Sequence, residues 1–159
     1  MNAIIVVSEE AMDKNLKQMV IKRMKDEEGF SSRPYRCTSN KLTIGYGRNL
    51  EDVGISKEEA EIMLNNDIEK CYAQLKSRIP HIFDRLDRDR QEVLLDMCFN
   101  LGIEGLLKFK KMLHALSEDD FTEAAHELMN SRYAHQVPNR AKRNAIILEE
   151  GIDCCWGNF

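Results

Sequence analysis

No apolar run in this sequence is long enough to cross a membrane. The longest near its start, Ala3-Ile4-Ile5-Val6-Val7, is about a quarter of a bilayer-spanning helix. It has no basic stretch before it and is followed by Glu9 and Glu10, so neither an export signal nor an anchor is expected. The five cysteines (Cys37, Cys71, Cys98, Cys154 and Cys155) form an odd set without C-x-x-C spacing. Neither a disulfide framework nor a zinc site is indicated, and a reducing cytoplasm is the simpler place of synthesis. Basic residues do not dominate either: 23 Lys and Arg stand against 27 Asp and Glu, a net charge of −4. A general nucleic-acid binder, which needs a basic footprint, is therefore not expected. The four histidines (His81, His114, His126 and His135) show no ligand spacing, so no metal or other cofactor is assigned. Internal repeats and low-complexity linkers are missing too.

What remains is an ordinary globular composition, 43% hydrophobic and 31% charged, over 159 residues. That length suits one domain, or two lobes sharing a long helix. Helical periodicity dominates. Met12, Leu16, Met19, Val20 and Met24 form one apolar stripe on a helix that runs to about Glu28 and stops at Gly29. From Arg33 to Gly47 the pattern changes to a turn cluster, Thr38-Ser39-Asn40, and a period-two run in which Leu42, Ile44 and Tyr46 alternate with Thr43, Gly45 and Gly47. Ser56-Lys57-Glu58-Glu59 reads as a capping box. The helix it opens carries Ala60, Met63, Leu64, Ile68, Cys71, Tyr72, Leu75 and Ile79 on one side. Further helices are expected over Val93–Leu101, closed by Gly102, and from Leu106 to Leu116. Another, capped by Ser117, should bear Phe121, Ala124, Ala125 and Leu128, and a last one should enter at Pro138 and end at Gly151. Cys71 and Cys98 fall on apolar stripes and are expected in the core.

The chemistry concentrates in Glu28-Gly29, Cys37 and Thr43-Ile44-Gly45-Tyr46-Gly47. Glycoside hydrolysis by inversion requires an acid for the leaving oxygen and a second group that directs water from the opposite side. Glu28 suits the acid, because the C-terminal end of a helix disfavours an anion and so favours the protonated form. The nine-residue step to Cys37 spans up to roughly 30 Å when extended, so both face one substrate only if the hairpin folds back over the helix end. A thiol at position 37 is mostly neutral at neutral pH unless a positive neighbour such as Arg36 draws it down. It can act as a thiolate base, a nucleophile or a group that positions water.

These residues resemble the phage-type lysozymes, the muramidases of glycoside hydrolase family 24. That family's pattern is a helix-terminal Glu-Gly, an Asp nine residues on and a Thr six further in a Thr-Ile-Gly-x-Gly strand. The matching places here are Glu28, Cys37 and Thr43, with Cys37 the departure. The likeness continues through Ser56–Ile68, Asn100-Leu101-Gly102, Ser131-Arg132-Tyr133 and Pro138-Asn139-Arg140-Ala141-Lys142-Arg143, covering about residues 17 to 150.

The resemblance implies an α+β, mainly helical, two-lobed lysozyme-like domain. A small β-hairpin lobe (about 17–56) and a helical lobe (about 80–159) would be joined by a linking helix (about 57–79), after an N-terminal extension at 1–16. It implies Glu28 as general acid, Thr43 as a holder of the hydrolytic water, and Arg140 as the arginine that pairs with the glutamate. Asn49, Phe99, Asn100, Met112 and Glu127 fall at sugar-contacting places, and Arg48 and Asp67 at those of a structural ion pair. The implied activity is hydrolysis of the β-1,4 bond between N-acetylmuramic acid and N-acetylglucosamine, and the partner is a peptidoglycan glycan strand. The implied setting is a monomeric endolysin that waits in the host cytoplasm and reaches the wall in the periplasm with the help of a holin or other membrane permeabiliser. Two rivals stay open: a muramidase fold that binds wall or a protein partner without turnover, and a helical interaction domain of accidental likeness. A transglycosylase, recognised by anhydro-muramic products, is a narrower enzymatic alternative.

Overall fold

The computed structural model describes residues 12–151. The Ala3–Val7 run, most of the expected N-terminal extension and the Cys154-Cys155 tail lie outside the described residues. The fold is α+β and mainly helical, with one small antiparallel sheet, and divides into two compact units, Met1–Glu59 and Ala60–Phe159. Among the described residues no helix is long and apolar enough to cross a membrane.

The first unit holds α1 (Lys14–Glu28), β1 (Ser31–Arg36), β2 (Leu42–Gly45) and β3 (Arg48–Asn49). Asp13 starts α1 by accepting the Leu16 amide at 2.9 Å. Gly29 ends it at φ 67°, a left-handed conformation that glycine adopts without steric cost, and returns its N–H to Lys25. The sheet order is β1-β2-β3. Tyr35 stands opposite Thr43 and Ser31 opposite Gly45, with an irregularity between them. β1 carries Pro34, which suits an edge strand because the missing N–H is not needed by a second neighbour. The expected apolar stripe of α1 is exposed: Leu16, Met19 and Val20 are 50%, 70% and 44% accessible, and the helix buries no residue. Thr43 is the one buried residue among the described residues of this unit.

In the second unit lies the apolar core, around Leu75, Phe83, Leu94, Met97, Leu106, Leu116, Leu128 and Leu148. Its elements are most of α2 (Lys57–Arg78), then α3 (Pro80–Phe83), α4 (Arg88–Leu101), α5 (Ile103–Leu106), α6 (Lys110–Ser117), α7 (Phe121–Met129), α8 (Arg132–Gln136) and α9 (Pro138–Glu150). The capping box opens α2 as expected: Ser56 Oγ accepts the Glu59 amide at 3.2 Å, and Glu59 Oε2 accepts the Ser56 amide at 2.7 Å. Only the C-terminal half of the α2 stripe is buried, at Cys71 and Leu75, while Met63, Leu64 and Tyr72 are exposed. Cys98 is buried in α4.

Two expectations need correction. The helix expected from Leu106 to Leu116 is two elements, because the backbone leaves helical geometry at Phe109 (ψ 53°). The cap of α7 is Asp120 rather than Ser117. Asp120 accepts the Glu123 amide at 3.0 Å, whereas the Ser117 hydroxyl closes the end of α6 on the His114 carbonyl at 2.6 Å. α8 was not foreseen; Ser131 caps it by accepting the Ala134 amide at 3.3 Å.

Asp120→Ala is expected to lower unfolding stability by about 1 kcal/mol in urea titration, the usual cost of losing an N-cap. Ser117→Ala should cost less than half of that, since the carbonyl it leaves is exposed to water.

Candidate active site

Glu28 is the last residue of α1, and its carboxylate lies over the backbone of Gly47, in the turn between β2 and β3. A Cβ at Gly47 would stand 2.7 Å from Glu28 Oε2 and 3.1 Å from its Cδ. Gly47 also has φ +76°, so it is required both by its conformation and by the carboxylate. The pairing of Ser31 with Gly45 produces this approach, because it returns the end of β2 to the place where the chain leaves α1. Aromatic contact holds it: Phe30 and Tyr46 have ring centroids 5.4 Å apart, and Lys25 Nζ lies 5.3 Å from the Tyr46 centroid. The expected folding of the hairpin over the helix end is thus present.

Cys37 and Thr43 come together at the other end of β1 and β2. The turn 37–41 is closed by Cys37 N–H to the Lys41 carbonyl at 3.0 Å and by Asn40 N–H to the Cys37 carbonyl at 2.8 Å, with Asn40 at φ 58°. This turns the Lys41 and Ser39 amides toward the thiol, with the Thr43 hydroxyl beside it. These donors hold the Cys37 thiol below its ordinary range, against a smaller opposing effect of burial. Backbone amides therefore do what the charge of Arg36 was expected to do. Arg36 Nη1 is occupied by Glu51 and by the Asn40 carbonyl, each at 2.8 Å. The Thr43 hydroxyl donates to the Lys41 carbonyl at 3.0 Å, and at 3% exposure the residue is fixed under the sheet.

Other expected residues fall into distinct surroundings. Asn49 closes the loop after β3: its Oδ1 accepts the Glu51 and Asp52 amides at 3.0 and 3.1 Å, and its Nδ2 donates to Asp52 at 2.8 Å. Its amide is thus committed to the loop. Arg48 donates to the Gly54 carbonyl at 2.8 Å and to Glu59 at 2.7 Å. Glu59, the capping-box residue, is the carboxylate that Arg48 holds, while Asp67 lines a cavity of about 510 Å³ in the helical unit with Cys71, Cys98 and Phe99. Met112, 1% exposed, is a core residue that forms the floor of a cavity of about 610 Å³. Glu127 stands on the wall of that cavity, 3.5 Å from Lys111 Nζ. Phe99 is 41% exposed near the end of α4, next to exposed Asn100.

Arg140, at the start of α9, is held by Asp96 of α4, a residue that the sequence pattern did not single out. Arg140 Nε lies 2.9 and 3.0 Å from the two carboxylate oxygens and Nη2 lies 2.6 Å from Oδ1, while Asn144 Nδ2 donates to Oδ2 at 2.8 Å. Burial opposes the charge of Asp96, yet the Arg140 and Asn144 hydrogen bonds and the Arg140 and Arg143 charges outweigh it and hold the carboxyl below the usual range. The nearby Tyr133 phenol is raised, by burial first and by the Asp96 charge second. Glu123, His126 and Glu127 bring three ligand-type atoms within 4.8 Å of one another on α7, largely exposed; His126 also faces Asn130 at 3.0 Å.

Because its folded pKa is lowered, Asp96 contributes stability that is fully present above its unfolded value and is lost as pH falls through the folded one. Asp96→Asn should therefore flatten the acid limb of a thermal-denaturation series below about pH 4, and cost about 2 kcal/mol at neutral pH, the scale of a charge-assisted bond. For Cys37, Thr43→Val should move the pH midpoint of iodoacetamide alkylation upward, since it removes a hydroxyl that can turn from the Lys41 carbonyl to the thiolate once that forms.

The family model described as phage lysozyme matches residues 25–145, from the end of α1 into α9. Among curated relatives, the probable T4-type lysozyme 1 of Dictyostelium discoideum is 28% identical over 156 residues, covering 80% of this chain and 92% of the relative. An endolysin of Acyrthosiphon pisum secondary endosymbiont phage 1 is 29% identical, over 67% of this chain and 72% of its own length. The pre-baseplate central spike protein Gp5 of Enterobacteria phage T4 is 25% identical over 91% of this chain, which corresponds to 30% of that larger protein. With the family match spanning Glu28, the hairpin and the Asp96–Arg140 pair, the chain belongs to the phage lysozyme family.

Proposed function

We propose that this protein is an endolysin that hydrolyses the β-1,4 bond between N-acetylmuramic acid and N-acetylglucosamine in bacterial peptidoglycan. The observation that carries the reading is the hairpin itself. A helix-terminal carboxylate is seated on Gly47, and the same three strands hold a donor-rich thiol against the buried hydroxyl of Thr43. These are the two kinds of group that glycoside hydrolysis by inversion requires.

Glu28 protonates the leaving glycosidic oxygen. Cys37 and Thr43 hold the attacking water, with Cys37 as the group that draws its proton. Two backbone amides favour the thiolate form and would spread its charge, which makes it a better holder of water than a nucleophile toward carbon. In the helical unit, Phe99, Asn100, Glu127 and Arg140 contact the glycan. Phe99 offers an exposed aromatic face, and Arg140 keeps its Nη1 edge beyond the bonds it makes to Asp96. The enzyme acts as a monomer, accumulates in the host cytoplasm and reaches the wall in the periplasm when a holin or similar permeabiliser opens the membrane.

Release of reducing ends from purified peptidoglycan tests the reading. Glu28→Gln should lower turnover by a factor of roughly 100 or more, the scale of losing a positioned general acid. Cys37→Asp should keep turnover within about tenfold of the wild type, and Cys37→Ala should fall well below both. Equal, zero turnover of all four proteins would instead indicate a wall-binding protein without catalysis. Gly47→Ala should behave like a weakened Glu28→Gln, because the methyl displaces the carboxylate.

A further inference from the structure

Arg140 and Asp96 sit side by side on the wall of one cavity of about 330 Å³, which Phe99 also lines. The guanidinium meets Asp96 edge-on through Nε and Nη2, at distances of 2.6 to 3.0 Å. Asn144, 1% exposed, fixes the carboxylate from behind at 2.8 Å, and Arg143 adds a second positive charge at 3.6 Å. Asp96 is mostly shielded, with 17% side-chain exposure, whereas Arg140 keeps 34%. A carboxylate tied to a buried amide is a fixed support, and the guanidinium resting on it has two of its three nitrogens spoken for. Among the described residues of the helical unit Nη1 is left with no hydrogen-bond partner. An arginine held along one edge presents the other edge in a single orientation, because the fork is planar and rigid.

We propose that Asp96 is a positioning residue for the hydrolytic reaction: with Asn144 it holds Arg140 through Nε and Nη2, so that Nη1 is presented to the glycan beside Phe99. This rests on the muramidase reading above. Asp96 touches no substrate and acts through Arg140 alone. The contribution is pre-organisation, since a guanidinium that must be ordered during the reaction loses part of what its hydrogen bond gives. An arginine that only packed α9 against α4 would contribute to stability and leave turnover untouched.

The test is a double-mutant cycle on the full-length protein with purified peptidoglycan, measuring kcat, KM and Tm for wild type, Asp96→Leu, Arg140→Lys and the double variant. Asp96→Leu removes the support at similar size, and Arg140→Lys keeps the charge but loses the fork. Each single variant should lose kcat by roughly tenfold or more with KM within about twofold, and the double variant should be no slower than the worse single. Asp96→Asn, which retains an acceptor oxygen, should recover most of the loss. If Asp96→Leu does not fold, the cycle of Asp96→Asn with Arg140→Lys gives the same reading at smaller amplitude. Losses that multiply in the double variant, or an unchanged kcat alongside a lowered Tm, would overturn the positioning role and leave the muramidase reading intact. A wild type that releases no reducing ends from peptidoglycan would overturn both.

Discussion

The approach of the Glu28 carboxylate to the backbone of Gly47 is the constraint on which the small unit's chemistry depends. α1 buries no side chain of its own, so burial along its length does not fix where its end points. The helix end is fixed by local contacts: Gly29 turns the chain, Phe30 meets Tyr46, and the absence of a side chain at Gly47 admits the carboxylate. Given that placement, the antiparallel register of β1 and β2 follows the chain to the 37–41 turn, where backbone amides meet the thiol. One glycine thus connects the acid to the hairpin that carries the second group.

The helical unit solves a different problem. Its core of leucines, Phe83 and Met97 is ordinary close packing, and it supports one half-buried ionic cluster at the junction of α4 and α9. Such clusters are costly unless every partner is satisfied. Here Asn144 and two arginines surround Asp96, and the desolvation of the carboxylate is outweighed. The arginine that the family resemblance marks is the one this cluster orients.

Much of this was legible in the sequence where a residue type has one mechanical use. The capping box at Ser56 and Glu59, the helix stops at Gly29, Gly102 and Gly151, the entry at Pro138 and the turn at 38–40 all follow from local backbone chemistry. Periodicity was less informative about burial. It marks an apolar face but does not say what covers it, and the stripes of α1 and the first half of α2 are exposed. Long-range polar partners were hidden for the same reason. Asp96 lies 44 residues from Arg140, and nothing near it in the chain distinguishes it from a surface aspartate. Arg36 was the obvious charge beside Cys37, yet Glu51, 15 residues away, takes it up, and the thiol is served by amides that only the folded turn brings round. The cap of α7 was misplaced because Ser117 and Asp120 are both competent caps, and the choice depends on where α6 ends.

The identity and anomeric form of the first product, followed by NMR during digestion of purified peptidoglycan, test the account most directly. Attack by a water held by Cys37 and Thr43 on a β-1,4 bond, with Glu28 as the acid, predicts that N-acetylmuramic acid reducing ends appear first as the α anomer and then mutarotate. First appearance of the β anomer would show retention and a covalent intermediate on the thiol, and anhydro-muramic ends would show that water is not the acceptor. Either result would contradict the central claim.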